Sequence, residues 1–533
     1  MSTEAAADIR TYHRRTKHAP QRYALGPAFL DWDSQPDPFR RFEGARRVAL
    51  PLCPDAPTPP FAALGEAMPP AALGPQALGL FLELALGLSA WKQAGEARWA
   101  LRNNPSSGNL HPTEGWVVLP PLPGLGEAAA LYHYAPHDHA LEERCRFQRP
   151  PTLPAGGFLV ALSSIPWREA WKYGERAFRY CQHDVGHALA ALSYAGACLG
   201  WRVRALAAPG DDAVAALLGL DRPDAHHPFE AEHPDLVAMV TPAAAAEIAL
   251  DRPPGEWSGT ANRLGEDHER WPVIDAALKL AAKPETAPLP PPPAAAPPAP
   301  GSGEPAATII RRRRSAQRMD NRTAMALPAF LRLLAATRPD AARPPFAALP
   351  WPTRLALALF VHRVEGLEPG LYALIRDGDS LPRLRQAMSP RFRWQLAVPE
   401  SGLPLYLLEP GDLRATASGL SCQQAIAGHS AFSLGMVADF ARTLAEEGDW
   451  AYRRLFWEAG AIGQALYLEA TAAGLSGTGI GCYFDDSVHQ LLGIDGDALD
   501  WQSLYHFTVG GAIEDTRLDT LPPYAHRPTS PPA

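Results

Sequence analysis

The chain has 533 residues, 47% of them hydrophobic and 20% charged, which supplies apolar material for more than one packed core and excludes disorder throughout. Lys and Arg total 49 and Asp and Glu 57, a formal net charge of −8, which argues against a nucleic-acid binder with a basic surface. The six cysteines form no C-x-x-C pair, so neither a disulfide scaffold nor a zinc ribbon is expected, and no metal site is assigned.

The N-terminal residues are polar and lack the apolar core of a signal peptide. The longest uncharged apolar run, 185–201, is shorter than the ~20 residues that span a bilayer. A cytoplasmic, non-membrane protein is expected. The first motif, 12–18, reads YHRRTKH and is a basic run at the head of the chain. Residues 103–114 read NNPSSGNLHPTE. Such residues form ordinary turns, but Ser106, Ser107, Gly108 and Asn109 also offer neutral donors and acceptors to a flat heterocycle with amide-like edges.

Residues 111–134 read as a strand, a turn and a second strand. The stretch 167–180, WREAWKYGERAFRY, is a helix whose Lys172 and Tyr173 either cover its surface or act as acid and base if desolvated. Phe178, Cys181, Val185, Ala188, Leu192, Ala195 and Leu199 then follow alternating three- and four-residue spacing, the core stripe of a long helix. His183 and His187 lie on that helix without a third ligand and read as core or hydrogen-bonding histidines. Residues 196–221 give a helix end at glycine, a short strand, and a helix opening at Asp211-Asp212 and closing at Leu217-Leu218-Gly219.

The proline-rich segment 283–305 divides the chain as a semi-extended tether. Beyond it the pattern returns. Residues 308–320, TIIRRRRSAQRMD, place four arginines where a helix opens, against the helix dipole; a bound phosphate resolves that conflict, and a solvated patch is the other reading. Residues 351–374 align without a gap on 111–134, with six identities in 24 positions that include the Pro-Thr and Leu-Tyr pairs. Leu455, Ala459, Ile462, Leu466, Ala470 and Ala473 form a second long-helix stripe. Residues 470–495 align on 196–221 with eight identities in 26. Gly477, Gly479 and Gly481 alternate along the repeated strand, which weakens it unless something approaches the backbone closely. There is no G-x-G-x-x-G at a helix start and no Walker A sequence, so a Rossmann or P-loop site is not expected.

These features divide the chain into a first domain at 1–250, a connecting extension at 251–283, a linker at 284–305, a second domain at 306–525 and a tail at 526–533. Helix, strand and helix recur in order, as in a tandem duplication.

Arg313-Arg314-Ser315, 105–109, 171–174, the glycines before Phe484-Asp485-Asp486, and Val509-Gly510-Gly511 together resemble the nitroreductase superfamily, more narrowly the SagB/ThcOx-type dehydrogenases. The resemblance implies an α+β fold, two nitroreductase-like domains packed as an intrachain pseudo-dimer, and FMN as cofactor. It places Arg313, Arg314, Ser315 and the late basic Arg517 at the FMN phosphate, with Gln317 where many members have an arginine. It places Ser106, Ser107, Gly108 and Asn109 against the flavin from the other half, and the backbone of Gly479, Gly481 and Cys482 beside its reactive edge. Lys172 and Tyr173 resemble the Lys-Tyr pair of the azoline oxidases and become the catalytic candidates. The implied activity is an FMN-dependent oxidation of azoline rings in a peptide or of a related small substrate, with NAD(P)H or oxygen as redox partner. An NAD(P)H-dependent nitro or quinone reductase and a flavin-free partner-binding scaffold stay open. A monomer is expected, because the halves supply each other's subunit contact, along with no nucleic-acid and no membrane partner.

Overall fold

The computed structural model describes residues 8–223, 225–266, 268–290 and 301–527. Part of the proline-rich tether, 291–300, and the end of the tail, 528–533, lie outside the described residues.

Two 22-residue helices, Ala177–Cys198 and Ala451–Ala472, form the centre. All but one residue of each is buried, their charged and polar side chains included. Their starts and ends are displaced by the same amount, since 451 − 177 and 472 − 198 both give 274. They cross at a glycine from each.

A mainly antiparallel sheet flanks each helix. In the first half the strand order is Gly255–Trp257, Ala140–Phe147, Ala130–Ala135, Thr113–Leu119, Phe158–Ser164, His233–Thr241, Arg202–Ala205. In the second it is Gln395–Leu396, Leu405–Pro410, Gly370–Leu374, Leu355–Val361, Phe432–Asp439, Trp501–Gly510, Ser476–Ile480. The orders correspond strand for strand. So does an irregularity: the ladder skips Asp235 in one half and Leu504 in the other, each one residue of bulge at the same place. The helices that open at Asp211 and Asp485 both close on a left-handed glycine, Gly219 and Gly493.

The ungapped alignment of 111–134 on 351–374 is corrected by the pairing. Ser164 pairs with Thr113, and Ala438, its counterpart, pairs with Leu355, a displacement of 355 − 113 = 242. One strand further out, His133 and Ala373 differ by 240. The counterpart of Thr113 is therefore Leu355 and not Thr353. A slip of two leaves every side chain on its own face, so the apolar pattern does not register it.

The basic run 12–18 also has an unexpected counterpart. Its helix, Ile9–Arg15, leads to His18, whose N–H donates to Asp485 Oδ2 at 2.9 Å and whose carbonyl accepts from Asp485 N at 3.1 Å. On the other side Lys283, after the helix Pro272–Leu280, makes the same pair of bonds with Asp211, at 3.0 and 2.9 Å. Arg14, Arg15 and Lys17 thus stand opposite the residues that precede the tether, not opposite the second basic run, Arg311–Ser315. The arm before the tether bonds its own half, whereas the N-terminal arm crosses to the other. The chain end does likewise: Asp519–Leu521 pairs with Leu88–Ala94, and Trp91 Nε1 donates to the Pro523 carbonyl at 2.8 Å.

Among the described residues no helix is long and apolar enough to cross a membrane.

Candidate active site

A cavity of about 590 Å³ opens between the halves, a size suited to one small-molecule ligand. From the first half it is lined by the 105–109 loop, His111, Tyr173, Tyr180, Asp184 and His187. From the second half come 313–317, Tyr467, 478–482 and Tyr505. Of the residues selected from the sequence, Tyr173, Ser106, Ser107, Gly108, Asn109, Arg313, Arg314, Ser315, Gln317, Gly479, Gly481 and Cys482 are all brought together here.

Two are not. Lys172 is not part of the lining; its ammonium lies 5.4 Å from the Trp32 ring and 5.5 Å from the Tyr173 ring, and burial lowers its pKa. The Arg517 side chain is 82% exposed and holds Asp515 at 2.6 Å. Asp515, not Arg517, faces the cavity.

The 106–111 loop is a tightly folded turn. Gly108, Asn109 and His111 all have positive φ, near 60, 61 and 52°, a region that costs a side chain free energy. The loop holds itself there with its own polar atoms. Asn109 Nδ2 donates to the Ala100 carbonyl at 2.9 Å and its Oδ1 meets His111 Nε2 at 3.0 Å. His111 N donates to Ser106 Oγ at 2.8 Å. The Asn109 amide is therefore occupied within the protein and shapes the wall.

Asp184, which the sequence reading passed over, fastens this loop to the central helix. Its Oδ1 accepts from Ser107 N at 3.1 Å and from Ser107 Oγ at 3.3 Å, while Oδ2 has no partner. Burial pushes its carboxyl up to about 7, against the lowering effect of the serine hydrogen bonds. Glu169 lies behind it, also raised by burial and by Asp184. A buried carboxyl that titrates near neutrality on a cavity wall is suited to proton transfer.

The glycine strand is explained by tyrosines. A Cβ on Gly479 would overlap the Tyr505 hydroxyl, and one on Gly481 the Tyr180 ring. Tyr467 Oη accepts from Gly479 N at 3.0 Å and bonds Ser315 Oγ at 2.8 Å. Tyr180 donates to the Gly481 carbonyl at 3.2 Å. The missing side chains make room for the Tyr505 and Tyr180 rings, which themselves form the wall, and residues 479–482 line the cavity beside them.

The other end is cationic. Arg313 is buried; its Nη2 donates to the Arg102 carbonyl at 2.9 Å, but its Nε and Nη1 have no partner. Arg314 donates to the carbonyls of Arg311, Arg313 and Ser89, and burial followed by repulsion from Arg313 lowers it to about 10. Burial likewise lowers Arg102 to about 10. Buried guanidinium hydrogens without acceptors, next to two further cations, fit an anion such as a phosphate. Arg313, rather than Arg314, is the donor left over.

The counterpart position in the other half is filled. A displacement of 274 carries Tyr180 and Asp184 onto Arg454 and Glu458, and the space there is about 10 Å³, barely one water. Phe346, Leu349 and Trp351 fill it, and Glu458 accepts from Arg376 and from Arg354 N. The two clusters of metal-ligating side chains, His137–Asp138–His526 and His227–Glu230–His268, lie outside the cavity lining.

The comparisons agree with this geometry. Residues 366–511 match the nitroreductase family. A crystal structure from Anabaena variabilis that carries the name nitroreductase covers 95% of this chain and 100% of its own, with a TM-score of 0.68 and 21% identity. That likeness runs the length of the chain and shows a shared nitroreductase fold. Two shorter matches, a nitroreductase-named structure from Ralstonia eutropha and an E. coli microcin synthetase complex, cover 43% and 38% of this chain and 96% and 70% of theirs; both have TM-scores of 0.28, at 18% and 16% identity. No curated protein matches.

Proposed function

We propose that this chain is an FMN-dependent oxidoreductase of the SagB/ThcOx type, with one composite site built from both halves and a small heterocyclic or peptide-borne azoline ring as substrate. The observation that carries the cofactor is the buried Arg313 guanidinium, whose Nε and Nη1 have no partner, at one end of a cavity whose other walls include tyrosines and the glycine strand. When bound, FMN would supply hydride-acceptor chemistry, which is the cofactor's own.

The chain's residues do the rest. Arg313 and Ser315 hold the phosphate, with Arg314 and Arg102 adding charge. Tyr467 fixes Ser315 against the glycine strand. Tyr173, whose hydroxyl is raised by burial and by Glu169, stays protonated and can donate a hydrogen bond at neutral pH. Asp184 is placed to take a proton released as the substrate is oxidised. Tandem duplication of one domain accounts for the constant displacement between the central helices, and the filled counterpart site accounts for the loss of the second flavin position.

The visible spectrum of the purified chain tests the cofactor. An azoline-containing substrate that bleaches it anaerobically, where NADPH does not, supports the dehydrogenase. Bleaching by NADPH alone would give the reductase instead, and a colourless protein that takes up no FMN would remove both.

A further inference from the structure

Two cysteines whose thiols have no role in the reading above lie on adjoining loops at the edge of the cavity. Cys422 and Cys482 are both half-buried and unbridged, and Cys482 lines the cavity. Their loops are tied together: Phe484 N donates to the Leu420 carbonyl at 2.8 Å, and Gln424 Nε2 to the Cys482 carbonyl at 3.0 Å. The two thiols lie close enough for each to shift the other's pKa. Cys422 and Gln423 both have positive φ, 51 and 62°. Two successive side chains in that region cost free energy.

The surroundings distinguish the two sulfurs. The His18 ring hydrogen-bonds Cys482. His18 Nδ1 accepts from Ala24 N at 2.9 Å, so in the neutral ring the proton sits on Nε2, the nitrogen left for the sulfur. Burial keeps His18 below its ordinary pKa, so the ring is neutral at pH 7 and donates through Nε2. Arg176, locked onto Asp485 at 3.0 Å, adds positive charge. Tyr23 hydrogen-bonds Cys422 from the solvent side and is 49% exposed. Tyr173 and Tyr180 face Cys482 from the cavity, both held neutral.

We infer that Cys422 and Cys482 form a reversible dithiol–disulfide couple on the cavity wall, with Cys482 the attacking sulfur, Cys422 the resolving one, and a small-molecule disulfide as oxidant. The Cys482 thiolate attacks one sulfur of the small disulfide, its S–S bond breaks, and the first thiolate leaves with a proton from solvent. Cys422, deprotonated, then attacks the Cys482 sulfur, an internal S–S bond forms, and the second thiolate leaves and is protonated. Two protein thiols are oxidised and one small disulfide is reduced to two thiols. The directions of the two thiol pKa values agree with this division. The proximity of Cys422, with that of His18 and the charge of Arg176, holds Cys482 well below the ordinary thiol range, and the same proximity together with burial raises Cys422.

The test does not use the flavin, so it stands apart from the proposed function. The full-length chain is equilibrated in reduced and oxidised glutathione of varied ratio, alkylated, digested without reductant and analysed by mass spectrometry. A peptide pair linked through Cys422 and Cys482, lost on adding excess reduced glutathione, is expected. In Cys422→Ser, glutathione should accumulate on Cys482; in Cys482→Ser, Cys422 should stay unmodified. Alkylation of Cys482 at mildly acidic pH should exceed that of Cys422 by on the order of tenfold or more. His18 acts through Cys482 as a positioning residue, so His18→Ala should move the midpoint of the Cys482 alkylation profile to higher pH. Absence of the linked pair from the wild-type chain at every ratio would overturn the proposal. Adducts accumulating on Cys422 rather than Cys482 would overturn the assignment of attacker and resolver.

Discussion

Gly186 and Gly460 touch across the two central helices, and each leaves room for the other helix's backbone. A Cβ on Gly460 would sit 2.9 Å from the Gly186 Cα and overlap the His183 carbonyl; a Cβ on Gly186 would overlap the Trp457 carbonyl. His183 and Trp457 are themselves 274 residues apart, as are the glycines. The contact is therefore reciprocal, as at a twofold subunit interface. Gly186→Ala or Gly460→Ala should force the helices apart and cost about 1–3 kcal/mol, read as a lower urea midpoint. An alanine at Gly196, on the same helix but against the Val203 side chain, meets a group that can move, and should cost less. Equal stability of all three variants would contradict the close crossing.

The helices were legible in the sequence because their spacing is set locally, by three- and four-residue steps through Phe178 to Leu199 and Leu455 to Ala473. The Asp-Asp and Leu-Leu-Gly ends were legible for the same reason. The strand register was not: Thr113 and Thr353 look equivalent, and only the hydrogen-bonded partners Ser164 and Ala438 reveal the slip of two. Most of the cavity lining could be listed from motifs. Asp184 could not, since an aspartate inside a helical stripe gives no sign that its carboxyl is buried beside a serine turn. Its signal, in hindsight, is an acidic residue in an otherwise uncharged run. Arg517 failed for a related reason. Its neighbour Asp515 takes its charge, a local pairing that sequence order alone does not weigh.

Asp184 makes stability depend on pH. Its carboxyl moves from 3.8 in an ordinary setting to about 7 when buried. Between those values the folded chain holds a proton that the unfolded chain releases, so stability falls as pH rises through that window. Asp184→Asn should flatten part of this slope, with Glu169 carrying the remainder, and should raise the melting temperature at pH 8 relative to wild type. The change is on the order of a few kcal/mol. An unchanged difference in melting temperature between pH 5 and pH 8 would show that Asp184 is ionised in the fold.

Tyr173 and Lys172 should separate under mutation, although they are adjacent. Tyr173 lines the cavity, whereas Lys172 leans on Trp32. Tyr173→Phe should slow substrate-linked flavin reduction by ~10²-fold, and Lys172→Ala should act more weakly, through the packing of its helix. Stopped-flow reduction of the bound flavin reads both. A larger effect of Lys172→Ala would mean that the lysine swings into the cavity when substrate binds.

At the cationic end, retention of FMN through gel filtration should rank the arginines. Arg313→Ala removes the unpartnered donor and should lose most flavin; Arg314→Ala should lose less, because its hydrogens already serve carbonyls. Arg517→Ala should retain all of it, being exposed and paired with Asp515. Loss of flavin in Arg517→Ala would require the C-terminal segment to close over the ligand.

The final expectation concerns stoichiometry, and follows from how unequally the two halves have kept the same framework. A pair of identical subunits would form two cavities, one on each side of the crossed helices. Here one is about 590 Å³ and its counterpart about 10 Å³. Phe346 and Trp351 line the counterpart, the Arg376 guanidinium lies 4.9 Å from the Phe346 ring, and the Glu458 carboxylate that matches Asp184 is already bound by Arg376. Opening that side would expose two aromatic rings and break a buried ion pair, which costs several kcal/mol. One FMN per chain is therefore expected, measured as released flavin against protein absorbance. Because the remaining cavity takes walls from both halves, residues 1–283 and 306–533 produced separately should each bind flavin poorly, and mixing them should restore binding. Two flavins per chain, or full binding by either half alone, would show that the filled side opens.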